Sequence, residues 1–189
     1  MRQNSEENEQ LKANLIRLEE YHGHLSPGAV IGLFMMEYAC GVMGFKYEDD
    51  IFVRVETDNC VPDGATALAN CTIGTKRLRI ADYGKMALTV TKRGDPKGLR
   101  VILDKDKTID YPKIHAWYLN EGEIPHEKVL GDIIKAGMNI YSHEHVHVKI
   151  IEKKRKNIVL CSKCGEPFIS TNEQIMCNYC AEGGYYNLD

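Results

Sequence analysis

The sequence predicts an α+β fold, with a mixed helix and antiparallel-sheet core followed by a small cysteine-bound ribbon. Three observations lead there. Residues 28–40 are apolar on nearly every side, which marks a buried helix. Residues 51–57, 86–92 and 99–103 are β-branched or alternating, which marks strands, the last two joined as a meander. Near the end, Cys161-x-x-Cys164 and Cys177-x-x-Cys180 are separated by twelve residues. A chain of 189 residues, 43% of them hydrophobic, suffices for one sizeable core and a small appended module. The core domain is expected over residues 1–152, and a basic linker with the ribbon over 153–189.

Leu11, Leu15 and Leu18 recur at helical spacing, so residues 4–20 form an amphipathic helix. It runs into Tyr21-His22-Gly23-His24-Leu25-Ser26-Pro27-Gly28. In an extended segment residues two apart face the same way, so His22 and His24 can converge on one ion. Ser26 followed by Pro27 reads as a helix start with Ser26 as its cap. Two polar loop histidines before such a start also arise without any ligand, and that reading stands beside the first. Within the apolar helix, Met35, Met36 and Cys40 are core packing rather than soft metal ligands.

The strand at 51–57 ends at Asp58-Asn59-Cys60 and turns into a short helix reaching Cys71. Cys60 thus sits where aligned backbone N–H groups favour a thiolate, the form that binds metal or attacks carbonyls. Cys71 reads as a small buried hydrophobe. Segments 72–76 and 81–85 bring glycines and basic residues together, but without the spacing of a P-loop or a dinucleotide fold. Residues 111–120 and 127–140 have helical spacing. His143, His145 and His147 share one strand face, read as a solvent-facing surface with a metal site as the alternative.

Each C-x2-C pair bends a knuckle that aims two thiolates at one point. Cys161, Cys164, Cys177 and Cys180 therefore read as a zinc ribbon with structural zinc, a rubredoxin-like iron site being the rival. Four thiolates leave no open coordination position, which makes the ribbon a structural or docking element. The run Lys153-Lys154-Arg155-Lys156 precedes it as a solvated linker or a phosphate-contacting patch. Net charge is −3, and from Cys161 onward Lys163 stands against Glu166, Glu173, Glu182 and Asp189, so nucleic-acid binding is disfavoured. No stretch is apolar enough to cross a bilayer. The polar start, Met1 to Gln10, reads as neither a secretory signal nor a transit peptide. Seven cysteines in such a chain lead us to expect a reducing, cytoplasmic location.

Several ordered motifs then form one pattern: His22-Gly23-His24-Leu25-x-Pro27-Gly28, Cys60 with Asp63, Cys71-Thr72-x-Gly74, Tyr83-Gly84-Lys85-Met86-Ala87, and the cysteine-rich tail. Together they resemble the E-subunit family of formylmethanofuran dehydrogenase, over residues 21–87 and in the tail. The resemblance implies an α+β core, a homodimer, and a metal pocket built from the His loop and a cysteine at the position of Cys60. It also implies association with a tungsten or molybdenum formylmethanofuran dehydrogenase. One departure matters: Ser26 stands where the family motif commonly has cysteine, and a hydroxyl is a far weaker metal ligand than a thiol.

The ligand set that remains is His22, His24 and Cys60 with water in the fourth position, suited to zinc or another divalent transition metal. Asp63, holding a ligand imidazole or moving a proton, and Lys85, orienting an anionic substrate, are the catalytic candidates. The expected function is an accessory role in one-carbon (formyl) metabolism, exercised with partner subunits of a formyl-oxidising complex. A stand-alone metal-dependent enzyme acting on a formyl or other carbonyl, and a zinc-ribbon nucleic-acid-binding regulator, are the alternatives.

Overall fold

The computed structural model describes residues 2–149, 157–170 and 173–186. The basic run at 153–156 lies outside them. Two compact units divide the chain, Met1–Ile150 and Ile151–Asp189.

In the first unit, helix α1 (Arg2–His22) leads into α2 (Pro27–Met43), the central helix. Every residue of α2 from Pro27 to Met36 is buried, as its uniformly apolar sequence requires. Ser26 caps it: its backbone is extended and its hydroxyl accepts a hydrogen bond from the Ala29 N–H at 3.3 Å. The His loop is shorter than its sequence implies. Gly23, at φ +90°, donates its N–H to the Glu19 carbonyl at 2.8 Å and closes α1 one residue earlier. His22 therefore stands on the last turn of a helix rather than in an extended strand.

The sheet contains β1 (Ile51–Val55), β2 (Leu78–Ile80), β3 (Ala87–Lys92), β4 (Lys97–Leu103) and β5 (Tyr141–His147), in the order β2-β1-β3-β4-β5. Neighbours are antiparallel except β1 and β2, which run parallel because α3 (Val61–Ala69) crosses between them. One row of facing residues is Leu78, Val53, Val90, Leu99 and His145; the next is Ile80, Val55, Leu88, Val101 and His143. Most of their apolar members are buried in the core that also holds the α2 side chains. His143 and His145 are exposed, yet they continue the core-facing rows of the sheet, and His143 Nδ1 lies 2.9 Å from the Tyr38 hydroxyl.

The opposite face carries charge. Arg100 forks onto Glu56 at 2.6 and 2.8 Å and reaches Glu144 at 3.2 Å. Hydrogen bonds from Arg100 hold the Glu56 carboxyl below its ordinary range. Beyond β4, two short helices, α4 (Pro112–Tyr118) and α5 (His126–Ala136), complete the layer. The sequence predicts continuous helix to residue 140, but Gly137 at φ +54° ends α5 and a single 3₁₀ turn follows.

Where α1 meets α2, the Asn14 side-chain amide donates to Glu37 at 2.7 Å, and Gln10 donates to Asn14 at 3.0 Å. Burial is the main influence on Glu37 and raises its pKa. A carboxyl whose folded pKa is raised destabilises the fold above that pKa, and the penalty disappears as pH falls below the unfolded value. Glu37→Gln keeps an acceptor for Asn14 and removes the charge. Its melting temperature should exceed that of the wild type at pH 7, and the gap should narrow at pH 4. A lower melting temperature at pH 7 would contradict this account.

Candidate functional site

Helices α2 and α3 cross with their backbones in contact. A Cβ at Gly32 would lie 2.2 Å from the Val61 carbonyl oxygen, and one at Gly64 2.2 Å from the Leu33 nitrogen. This close approach, available only to glycine, brings the first turn of α3 against the end of α1. Asp63 Oδ2 meets His22 Nδ1 at 2.6 Å, and Ser26 Oγ lies 3.2 Å from the other ring nitrogen, Nε2. With the imidazole neutral, Nδ1–H donates to the carboxylate and Nε2 accepts from the serine hydroxyl. Ser26 Oγ then donates to His22 and accepts from Ala29, so its hydrogen bonds are consistent along the whole chain of contacts.

A cleft of about 580 Å³ opens beside this chain of contacts. His22, Cys60 and Asp63 all line it, with Asn59 and Thr72 adding polar groups and Ile73 an apolar wall. Cys60 occupies the N-cap position of α3, and its Cβ lies where a Cβ on Gly28 would approach to 3.2 Å. Three of the candidates read from the sequence, His22, Cys60 and Asp63, thus surround one opening. His24 is exposed, with its ring 4.9 Å from that of His22, and is not part of the cleft lining. Lys85 is also exposed and outside the lining; its N–H donates to the Glu56 carbonyl at 3.0 Å. The Ser26–His22 contact is not legible in the sequence, because it depends on α1 ending at His22 so that the ring reaches forward to the next helix.

The second unit consists of a hairpin, β6 (Asn157–Leu160) with β7 (Pro167–Ser170), and the short helix α6 (Asn178–Glu182). In the first knuckle, Gly165 donates its N–H to the Cys161 carbonyl at 2.9 Å. The sulfurs of Cys161, Cys164, Cys177 and Cys180 all lie within 4.8 Å of one another, and those of Cys164 and Cys177 are 4.0 Å apart. Tetrahedral zinc with bonds of about 2.3 Å separates its sulfurs by roughly 3.8 Å, so the four fit that ion with small inward movements. Among the described residues they are the group of three or more metal-ligating side chains close enough to share an ion. Backbone N–H groups of Cys164 and Cys177 pull the Cys161 thiol down to about 6, while burial and the neighbouring sulfurs push Cys180 up to about 12. Four thiolates cannot coexist there without a cation.

These features define a two-unit protein with a four-cysteine group able to hold a metal ion and an open cleft in its α+β unit. A family model described as "FmdE, Molybdenum formylmethanofuran dehydrogenase operon" matches residues 21–149, and the chain belongs to that family. It is similar to a crystal structure of a tungsten formylmethanofuran dehydrogenase FmdE-like protein from Syntrophus aciditrophicus. That match has 27% identity and a TM-score of 0.80, and it covers 93% of this chain and 94% of the other. A curated relative from Archaeoglobus fulgidus, named "Probable S-adenosyl-L-methionine-binding protein", is 31% identical over 200 residues, spanning 91% of this chain. The chain spans about half of that relative's length, 53%. No helix among the described residues is long and apolar enough to cross a membrane.

Proposed function

We propose that the chain is a metal-holding accessory protein of formyl metabolism, whose ribbon carries structural zinc and whose cleft receives a formyl-bearing or related carbonyl ligand. The observation that supports this most is the cleft itself, where His22, Cys60 and Asp63, all inside the matched region, line one opening. Asp63 fixes the ring of His22, and His22 Nε2 is the atom that holds or moves a proton at the ligand. Redox chemistry on the formyl group falls to partner subunits in this reading, because no cysteine cluster beyond the ribbon gathers among the described residues. The protein works in the cytoplasm as a homodimer beside those subunits.

A core metal held by His22, His24 and Cys60 is the second reading. One observation favours it: a carboxylate on Nδ1 is how proteins orient a metal-binding imidazole. For that site to form, Nε2 must exchange the Ser26 hydroxyl for the ion.

Metal analysis of the purified full chain separates the two. The first reading expects one zinc per chain, lost in Cys161→Ser with Cys164→Ser and retained in His22→Ala with Cys60→Ala. Two metals per chain, one of them lost in the His22→Ala, Cys60→Ala variant, would establish the core metal instead. Titration with a formanilide and with S-adenosylmethionine, followed by the amide signals of Asn59, Asp63 and Thr72, tests the cleft. Shifts elsewhere only would remove it as the ligand site.

A further inference from the structure

We infer that the ligand of the cleft is an organic cation, an alkylammonium whose N–H groups meet the carboxylates of Asp58 and Asp63. This rests on the reading of the cleft as the ligand site and names the chemical class that the site selects. The charge of the lining carries the inference. Among the described residues that line the cleft, Asp58 and Asp63 bear acidic side chains, and none is a lysine or an arginine. A carboxylate or phosphate seated there would face two like charges without a counter-ion, whereas an ammonium group is attracted by both.

The basic residues that stand among the lining segments lie outside the lining itself. Arg77 spends its guanidinium on the carbonyls of Ile51, Asp49 and Ala69, at 3.2, 3.3 and 3.1 Å. Leu78 and Ile80 line the cleft, so Arg79, between them on β2, projects from the opposite face of the sheet. Lys76 is exposed in the turn before β2.

The hydrogen-bonding groups of the lining point the same way. Asp63 Oδ2 is taken by His22, which leaves Oδ1 without a partner among the described residues. Asn59 Nδ2 is anchored on Thr57 Oγ1 at 3.1 Å, so the side-chain oxygen is left to accept. The Thr66 hydroxyl gives its one hydrogen to the carbonyls of Cys71 and Pro62, at 2.9 and 3.3 Å, and can only accept from a ligand. These side chains offer acceptors, and a ligand that brings donors satisfies them. Tyr21, 54% exposed, and Ile73, 64% exposed, add an aromatic ring and an aliphatic wall for the stem of such a cation. An opening of about 580 Å³ is of the size that takes in a small organic molecule.

Three probes that share a formamide on a short alkyl stem and differ in charge test this: N-formylputrescine, N-butylformamide and N-formyl-γ-aminobutyrate. Each is titrated into zinc-loaded full-length protein while the amide signals of Asn59, Asp63 and Thr72 are followed. N-formylputrescine, the cation, should shift them saturably and bind about tenfold more tightly than the neutral probe, with the anion weakest. Salt at about 0.5 M should erase most of that difference. Asp58 is exposed, so its substitution leaves the fold intact. Asp58→Asn should weaken the cation about fivefold and leave the neutral probe unchanged, and Asp58→Lys should bring the anion level with the cation or ahead of it. Trimethylating the ammonium of N-formylputrescine, which keeps the charge and removes the donors, should weaken binding severalfold. Equal binding of cation and neutral probe, or tightest binding of the anion, would overturn the inference and leave the cleft standing as the ligand site. So would an unchanged preference in both Asp58 variants, or undiminished binding of the trimethyl probe. If no probe moved the three amide signals, the cleft and the inference would fall together.

Discussion

Gly64→Ala should be among the most destabilising single methyl additions in the α+β unit. The new Cβ would sit 2.2 Å from the Leu33 nitrogen and 2.3 Å from the Gly32 carbonyl carbon, and both are backbone atoms that no rotamer change can move. Overpacking a tight interior costs about 1–3 kcal/mol, and a backbone clash belongs at or beyond the upper end. At about 2–4 °C per kcal/mol for a chain of this size, the melting temperature should fall by roughly 6–12 °C. Gly131→Ala is the internal control. That glycine is exposed on α5 with open space around its Cβ position, so alanine there should stabilise by about 0.5–1 kcal/mol through helix propensity. If calorimetry gave the two variants similar melting temperatures, the backbone contact between α2 and α3 would not be what sets their spacing. Because Asp63 precedes Gly64, the variant should also lengthen the 2.6 Å contact to His22, visible as a change in the imidazole nitrogen signals.

Cys177→Ser should abolish the ribbon. Its sulfur lies 4.0 Å from that of Cys164, and its N–H donates to Cys161 Sγ at 3.4 Å, so the substitution removes one of four ligands and disturbs a second. Ribbon side chains bury little: Ile158, Leu160, Ile169 and Ile175 are all largely exposed, which leaves the ion as the main source of order. Metal content should drop by one ion per chain. Amide signals from residues 157–186 should collapse towards random-coil positions, and those from residues 8–149 should keep their dispersion. A chelator acting on the wild type should reproduce the pattern reversibly. Retained dispersion in the ribbon after metal loss would show that the hairpin folds without it.

Much of this architecture is written locally in the chain. The α2 helix is legible because its residues are apolar all round and Ser26-Pro27 starts it; the ribbon is legible because two cysteine pairs at that spacing have few other uses. The chain also belongs to the family whose motifs it carries. Sites that depend on where helices end are harder to read. An extended loop would turn His22 and His24 the same way, but a positive-φ glycine between them puts His22 on α1 and leaves His24 exposed. Likewise, Lys85 lies outside the cleft, which is assembled from α1, α3, the segments flanking α3 and β2. Nothing in the spacing of Asn14 and Glu37, or of Glu56 and Arg100, reveals that each pair meets across the fold.

The two borders of the five-stranded sheet are unlike each other. On one side β2 has three residues; on the other β5 has seven, and its far side is unpaired among the described residues. A long free strand is an invitation for another chain to add itself by main-chain hydrogen bonds, the route to fibrous aggregates. β5 answers with His143, Glu144, His145 and His147, a polar border that any added strand would have to desolvate. Association by sheet extension along this border is thereby disfavoured.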